Sequence, residues 1–247
     1  MIRSLLCILC TFFSFVVYGT SIIIYISKND IYAGADSRRT ITKLNGEDSL
    51  CIDNACKIVN VGNYWSCLSG SFSKDFFDPY ETIDSCFRIY KSSFENRIFA
   101  IHKIFKLKLE TIGIALSRTH NQFTYIQNDF YYSIMTVCII GRIHDTPSVY
   151  KIDYYYGYKN KKPSVFHTDS IFNIIETPNR KIITLGHDSE INKIADLNKK
   201  MNQSPVKTIK NAITMQSKVD TIHVNDKINL VKICKNKSKW LLKHSCI

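Results

Sequence analysis

The sequence predicts an α+β fold in which two sheets pack together with helices on their outer sides. Three observations lead there. β-branched apolar segments occur near both ends of the chain, at residues 21–35 and 227–242. Between them, Phe76, Tyr80, Ile83, Phe87 and Tyr90, then Ile98, Ile101, Phe105, Leu109, Ile112 and Leu116, recur at three- and four-residue spacing, the period of an amphipathic helix. A second helical stretch around residues 189–216 separates the middle strands from the last ones. Strands, two helices, strands, two helices and strands in that order suit paired sheets with helices outside.

The elements follow in order. Residues 21–27 read as a buried strand, Lys28-Asn29-Asp30 as a turn, and residues 31–35 as the returning strand that leads into Asp36-Ser37-Arg38-Arg39. A second strand pair covers residues 57–61 and 64–70 around a turn at Gly62-Asn63. After the two helices, strands are expected at 133–140 and 148–153. Helices are expected at 189–202 and 205–216, the latter opened by Pro205. Strands at 227–233 and 240–242 close the chain.

Composition narrows the function classes. The chain has 247 residues, 45% hydrophobic and 22% charged, which argues against wholesale disorder and against a polytopic membrane protein. Nine glycines and five prolines exclude collagen-like and low-complexity architectures. A net charge of +12 fits nucleic acid, an anionic membrane surface or acidic substrates, but the lysines are scattered without a long basic run. They read as a solvated surface, and no nucleic-acid partner is expected. Tyr154-Tyr155-Tyr156 is read as a strand-end aromatic cluster, not as a base-stacking platform.

Arg3 is the only charge before Lys28. It opens an apolar run over residues 5–17 that ends in Val17-Tyr18-Gly19, the pattern of a cleaved secretory signal. The same stretch, taken as residues 4–26, is just long enough for a membrane anchor of ~20 residues. The change at Gly19-Thr20 from Leu, Phe and Cys to β-branched residues favours a signal peptide of residues 1–19 and one domain over residues 20–247. The expected location is periplasmic or secreted, with a membrane partner only where the first segment stays attached.

Removal of Cys7 and Cys10 with that segment leaves seven of the nine cysteines, so at least one is free or pairs between chains. Cys51 and Cys56, in a polar loop, suit a small disulfide in an oxidising compartment, while Cys67 and Cys138 sit in apolar runs and read as core thiols. Among those seven there is no CxxC pair, and His and Cys nowhere take zinc-ligand spacing in sequence, so neither a metal nor another cofactor is expected.

Gly19-Thr20-Ser21-Ile22, Tyr32-Ala33-Gly34-Ala35-Asp36-Ser37-Arg38, Lys57-Ile58 and Leu68-Ser69-Gly70 together resemble a proteasome β-type subunit of the N-terminal-nucleophile hydrolase superfamily, as a divergent, bacterial-like secreted member. In that family a glycine precedes a nucleophilic threonine, an A-x-D-S-R segment ends the second strand, a lysine opens the third, and a glycine turn leads to the first long helix. Thr20 to Asp36 has the family's spacing without a gap, and the hairpin before Lys57 is longer. Gly141-Arg142 and residues 149–153 echo the family's later strand pair. The resemblance implies a four-layer αββα sandwich of two antiparallel sheets flanked by helices.

It also implies a mechanism. Thr20, once N-terminal, attacks an amide carbonyl with its hydroxyl while its own α-amine, pKa about 7.7–8.0, takes the proton. Lys57 lowers the amine's pKa and favours the alkoxide, Asp36 holds Lys57, and the Gly70 N–H at the helix start faces the oxyanion. Asp220 supports the amine. The expected activity is hydrolysis of a peptide or small amide, with a homo-oligomer as a possible assembly.

Two late segments depart from the family. Its Gly-Ser-Gly appears as Leu185-Gly186-His187-Asp188, and its Asp-x-x-Ser-Gly-Gly as Asp220-Thr221-Ile222-His223-Val224-Asn225, which keeps only the aspartate. A catalytically inactive binding protein of the same fold, and a membrane-anchored basic protein, are the alternatives.

Overall fold

The computed structural model describes residues 21–42, 48–70, 77–89, 92–119, 132–159, 162–173, 181–186, 193, 203–235 and 237–244. The signal peptide expected at residues 1–19, Thr20 itself and all but Lys193 of the helix expected at 189–202 lie outside the described residues.

The first sheet contains β1 (Ser21–Ile26), β2 (Ile31–Asp36), β10 (Lys181–Gly186), β11 (Ile228–Ile233) and β12 (Ser238–Leu242), in the order β10-β1-β2-β11-β12. The second contains β5 (Ile58–Val61), β6 (Tyr64–Ser69), β7 (Tyr132–Ile143), β8 (Thr146–Lys159) and β9 (Lys162–Asn173), in sequence order. Every neighbouring pair in both sheets is antiparallel. A separate hairpin, β3 (Arg39–Thr42) with β4 (Asp48–Ile52), carries the longer connection between Asp36 and Lys57.

Three apolar cores show how the layers stack. Side chains alternate across a strand, so Ile22, Ile24 and Ile26 of β1 face the second sheet and pack with Ala33, Ala35, Ile58, Cys67, Cys138 and Val149. Ile23 and Tyr25 face the other way, onto Ile209, Ala212 and Ile213 of α3 (Pro205–Val219). Burial on both faces is why β1 reads as an unbroken apolar run and not as an alternating one. On the far side of the second sheet, Ile83 and Phe87 of α1 (Pro79–Ile89) and Ile101, Phe105 and Leu109 of α2 (Phe94–Thr119) cover Val137, Ile152 and Tyr154. The result is the predicted αββα sandwich, with α1 and α2 on one side and α3 on the other.

Local sequence explains the boundaries. The Ser204 hydroxyl caps α3 by accepting the Lys207 N–H at 3.3 Å, with Pro205 in the first turn. Asp78 does the same for α1, accepting the N–H groups of Tyr80 at 2.9 Å and Glu81 at 3.1 Å. Gly34 lets α3 lie close to β2, since a Cβ there would stand 2.3 Å from Ile209 Cγ2.

Several expectations change. β8 runs on to Lys159 and is followed by β9 and β10, strands absent from the sequence reading. β9 is an edge strand whose His167, Thr168 and Asp169 are all exposed, so it lacks the apolar alternation that would reveal it. Tyr154-Tyr155-Tyr156 lies inside β8, not at a strand end, and Tyr154 and Tyr156 are buried beneath α2. Cys67 and Cys138 are buried free thiols facing each other across β6 and β7. Cys56 is disulfide-bonded, and the side chain of Cys51 lies outside the described residues. Ser21–Ile26, which a membrane span over residues 4–26 would have used, form an interior strand. Among the described residues no helix is long and apolar enough to cross a membrane.

Candidate active site

One end of the sandwich gathers the start of β1, the ends of β2 and β10, the start of β11, the entry to β5 and the exit of β6. Antiparallel pairing enforces this: Ser21 lies opposite Gly186, Asp36 opposite Ile228, and Lys57 enters β5 beside the strand that Gly70 leaves. Residues far apart in sequence are thereby brought to one edge.

Asp36 is the centre of the group. It is fully buried, and its Oδ1 accepts both the Ser21 N–H at 2.7 Å and the Lys57 ammonium at 2.8 Å. Its Oδ2 accepts the Arg38 N–H at 2.9 Å. Lys57 is 4% exposed, so it is no surface lysine, and its carbonyl accepts the Tyr80 hydroxyl of α1 at 2.8 Å. Burial pushes the Asp36 carboxyl above the ordinary aspartate range, while Lys57 and the N–H groups of Ser21 and Arg38 pull it back.

The next two residues fasten the surrounding loops. The Ser37 hydroxyl donates to the Asp53 carbonyl at 2.7 Å, and the Ser37 N–H donates to Asn225 Oδ1 at 3.1 Å. Arg38 grips the Asp53 carboxylate with two nitrogens, at 2.6 and 2.9 Å, and also reaches the Thr221 carbonyl. The fork geometry suits this double contact. Three consecutive residues thus secure three different neighbours. Asp36 holds Lys57, Ser37 ties the turn at residues 220–225, and Arg38 anchors the loop that follows β4.

Asp220 ends α3, and its carboxylate engages His223, at 3.1 Å to the backbone N–H and 2.8 Å to Nδ1. His223 is therefore a partner of Asp220 through both its backbone and its ring. Gly70 ends β6 with a φ of 80°, a conformation that glycine adopts readily, and a Cβ there would stand 2.4 Å from the Ile134 carbonyl oxygen. Residues 71–76, where the helix start expected at Gly70 would fall, lie outside the described residues, and the first described helix, α1, begins at Pro79.

The structure therefore brings Asp36 and Lys57 into direct contact at the residue after Thr20, and it places Gly70 at the same end of the neighbouring sheet. The sequence reading missed Asp53, Tyr80 and Asn225 as organisers of this end. Ser37 and Asn225 are 188 residues apart, and no local pattern links them. Among the described residues, the side chains grouped closely enough to share a metal ion are His102, His167 and Asp169, on the outer side of the second sheet and not at Asp36.

Two five-stranded antiparallel sheets with helices on their outer sides make an α+β sandwich. The solved structure of eukaryotic HslV from Trypanosoma brucei is similar, with a TM-score of 0.50, 10% sequence identity, and coverage of 87% of this chain and 99% of that one. That likeness is one of fold. No protein-family model matches the sequence, and no curated protein matches it significantly.

Proposed function

We propose that the protein is a divergent secreted or periplasmic hydrolase of amide or peptide bonds, whose nucleophile is the Thr20 hydroxyl, freed at the N-terminus by removal of residues 1–19. The observation that carries this reading is the single Asp36 oxygen shared by the Ser21 N–H and the Lys57 ammonium. Thr20 is the residue bonded to Ser21, the first of β1.

In this reading the α-amine of Thr20 takes the hydroxyl proton as the oxygen attacks the carbonyl carbon, and returns it to the departing amine. Lys57 supplies a fixed positive charge that favours the free-base amine and the developing alkoxide. Asp36 keeps Lys57 in one position and balances its charge, both side chains being buried. The Gly70 N–H donates to the oxyanion, and Asp220 acts through His223 to hold the turn next to the amine. Water then hydrolyses the acyl-threonine ester. If a signal peptidase performs the cut, the family's self-cleavage elements are not needed, which accommodates the altered segments at Gly186 and His223.

The test is covalent labelling with a peptide vinyl sulfone or β-lactone, on protein purified from its native host. N-terminal sequencing is expected to read Thr20-Ser21-Ile22, and mass spectrometry to place the adduct on Thr20. A terminus elsewhere ends the mechanism. A verified Thr20 terminus that never labels moves the assignment to a binding protein of the same fold.

A further inference from the structure

Away from the proposed active site, two histidines and an aspartate converge where α2 crosses the edge strand β9. His167 and Asp169 are two residues apart on β9, so both point to the strand face that α2 covers. His102 reaches them from α2, and 67 residues separate it from Asp169. Its Nε2 lies 3.1 Å from Asp169 Oδ2, and its ring stacks on that of His167, with centroids 4.0 Å apart and planes at 21°. One ligand atom from each of the three residues lies within 4.8 Å of the others.

Two tyrosines of β8 organise this group from behind. The Tyr154 hydroxyl meets His102 Nδ1 at 3.3 Å, and the Tyr150 hydroxyl donates to Asp169 Oδ2 at 2.6 Å. Engaging Nδ1 leaves Nε2 as the nitrogen turned toward Asp169, and the Tyr150 bond fixes the carboxylate. Outer contacts of this kind orient the ligands of metal sites and set the imidazole tautomer.

From this arrangement we infer that His102, His167 and Asp169 form a binding site for a transition-metal dication, with Zn²⁺ as the reference ion, that clips α2 to the edge of the second sheet. Two imidazoles and one carboxylate match the donor preference of Zn²⁺, Co²⁺ and Ni²⁺, whereas Mg²⁺ and Ca²⁺ favour all-oxygen sets. Metal–ligand distances of about 2.0–2.2 Å require the three donors to draw closer. His102 and Asp169 are already at hydrogen-bond distance, so the adjustment falls on His167. Its side chain is exposed on an edge strand and can swing its ring off the stack. Water completes the coordination, since the described residues supply three donors. The ion replaces the proton shared by His102 and Asp169, so binding releases a proton when that pair starts protonated.

The experiment uses the full chain, stripped with a chelator, and titrates it with ZnCl₂ by calorimetry and with CoCl₂ by visible absorption. One equivalent is expected to bind, with a rise in melting temperature, and MgCl₂ is expected to give neither. His167→Ala is the decisive variant, because its exposed side chain can be removed without disturbing the core; it should weaken Zn²⁺ binding by at least about tenfold. His102→Gln and Asp169→Asn should weaken it as well, with folding verified by circular dichroism. His144→Ala, at an exposed histidine on the β7–β8 turn, is expected to bind like wild type. No saturable Zn²⁺ binding by wild type, or equal binding by His167→Ala, overturns the site.

Discussion

Lys57 Nζ lies 2.8 Å from Asp36 Oδ1, the oxygen that also accepts the Ser21 N–H, and both side chains are buried. Asp36 belongs to the first sheet and Lys57 enters the second. One carboxylate oxygen therefore joins the two layers at the end of the sandwich where the chain enters β1. The contact is an ion pair between layers and a positioning device at once, and its two roles separate experimentally.

Removing one partner leaves a buried charge uncompensated, which typically costs about 3–5 kcal/mol. Lys57→Ala is therefore expected to lower stability far beyond the ~0.5 kcal/mol of a surface lysine, and Asp36→Asn should also destabilise. The double variant Asp36→Asn/Lys57→Met removes both charges and is expected to recover part of that loss while labelling of Thr20 stays abolished. Urea denaturation of wild type, Asp36→Asn, Lys57→Met and the double variant measures the coupling. Single variants as stable as wild type would show that the pair carries no structural load.

The Arg38 guanidinium holds the Asp53 carboxyl below its ordinary value. A carboxylate depressed in the folded state contributes stability above its unfolded pKa of about 3.9, and that contribution is lost as pH falls through the folded value. Arg38→Gln is expected to flatten the acid limb of the stability–pH curve and to leave the neutral and alkaline region nearly parallel to wild type. The effect is modest because Asp53 is partly exposed. Chemical denaturation at a series of pH values from acid to neutral checks it, and parallel curves throughout would remove the pair from the account.

Gly70→Ala is expected to cost at least about 1–2 kcal/mol from the left-handed backbone alone. The close approach to the Ile134 carbonyl adds to this. A fall in melting temperature with unchanged spectra at low temperature is the expected signature. The neighbouring β-hairpin glycine provides the control: Gly62 has a φ of 68° but open space around it, so Gly62→Ala should show the backbone cost without the clash.

Thiol alkylation without reductant is expected to leave Cys56 unmodified, and peptide mapping to find it joined to Cys51 on β4. A loop this short is worth about 2 kcal/mol in the chain-entropy account. Cys67 and Cys138 should react only after unfolding, since both are sealed in the core between the sheets. Rapid labelling of either in the native protein would contradict the packing described for β6 and β7.

The continuous apolar run of β1, the three- and four-residue periodicity of α1 and α2, and the Pro205 start of α3 were legible because they are local. Each depends on neighbours within a turn or two, and burial on one face or both writes itself into consecutive residues. The Asp36-Ser37-Arg38 segment and Lys57 were singled out through resemblance, as a pattern of residues and spacing.

β9, β10 and the His102–His167–Asp169 group were not legible, and the reason is physical. An edge strand exposed on both faces, as β9 is at residues 167–169, need not alternate, and side chains that meet across α2 and β9 carry no mark of each other in sequence. The chain by itself determined the order of its strongly patterned elements and their amphipathic faces. Only the tertiary structure decided that Lys57 is buried against Asp36, that the turn at residues 220–225 is tied to Ser37 and Arg38, and that Asp220 engages His223. Those contacts depend on strand register and layer packing, which sum many weak interactions over the whole fold and leave no short-range signature.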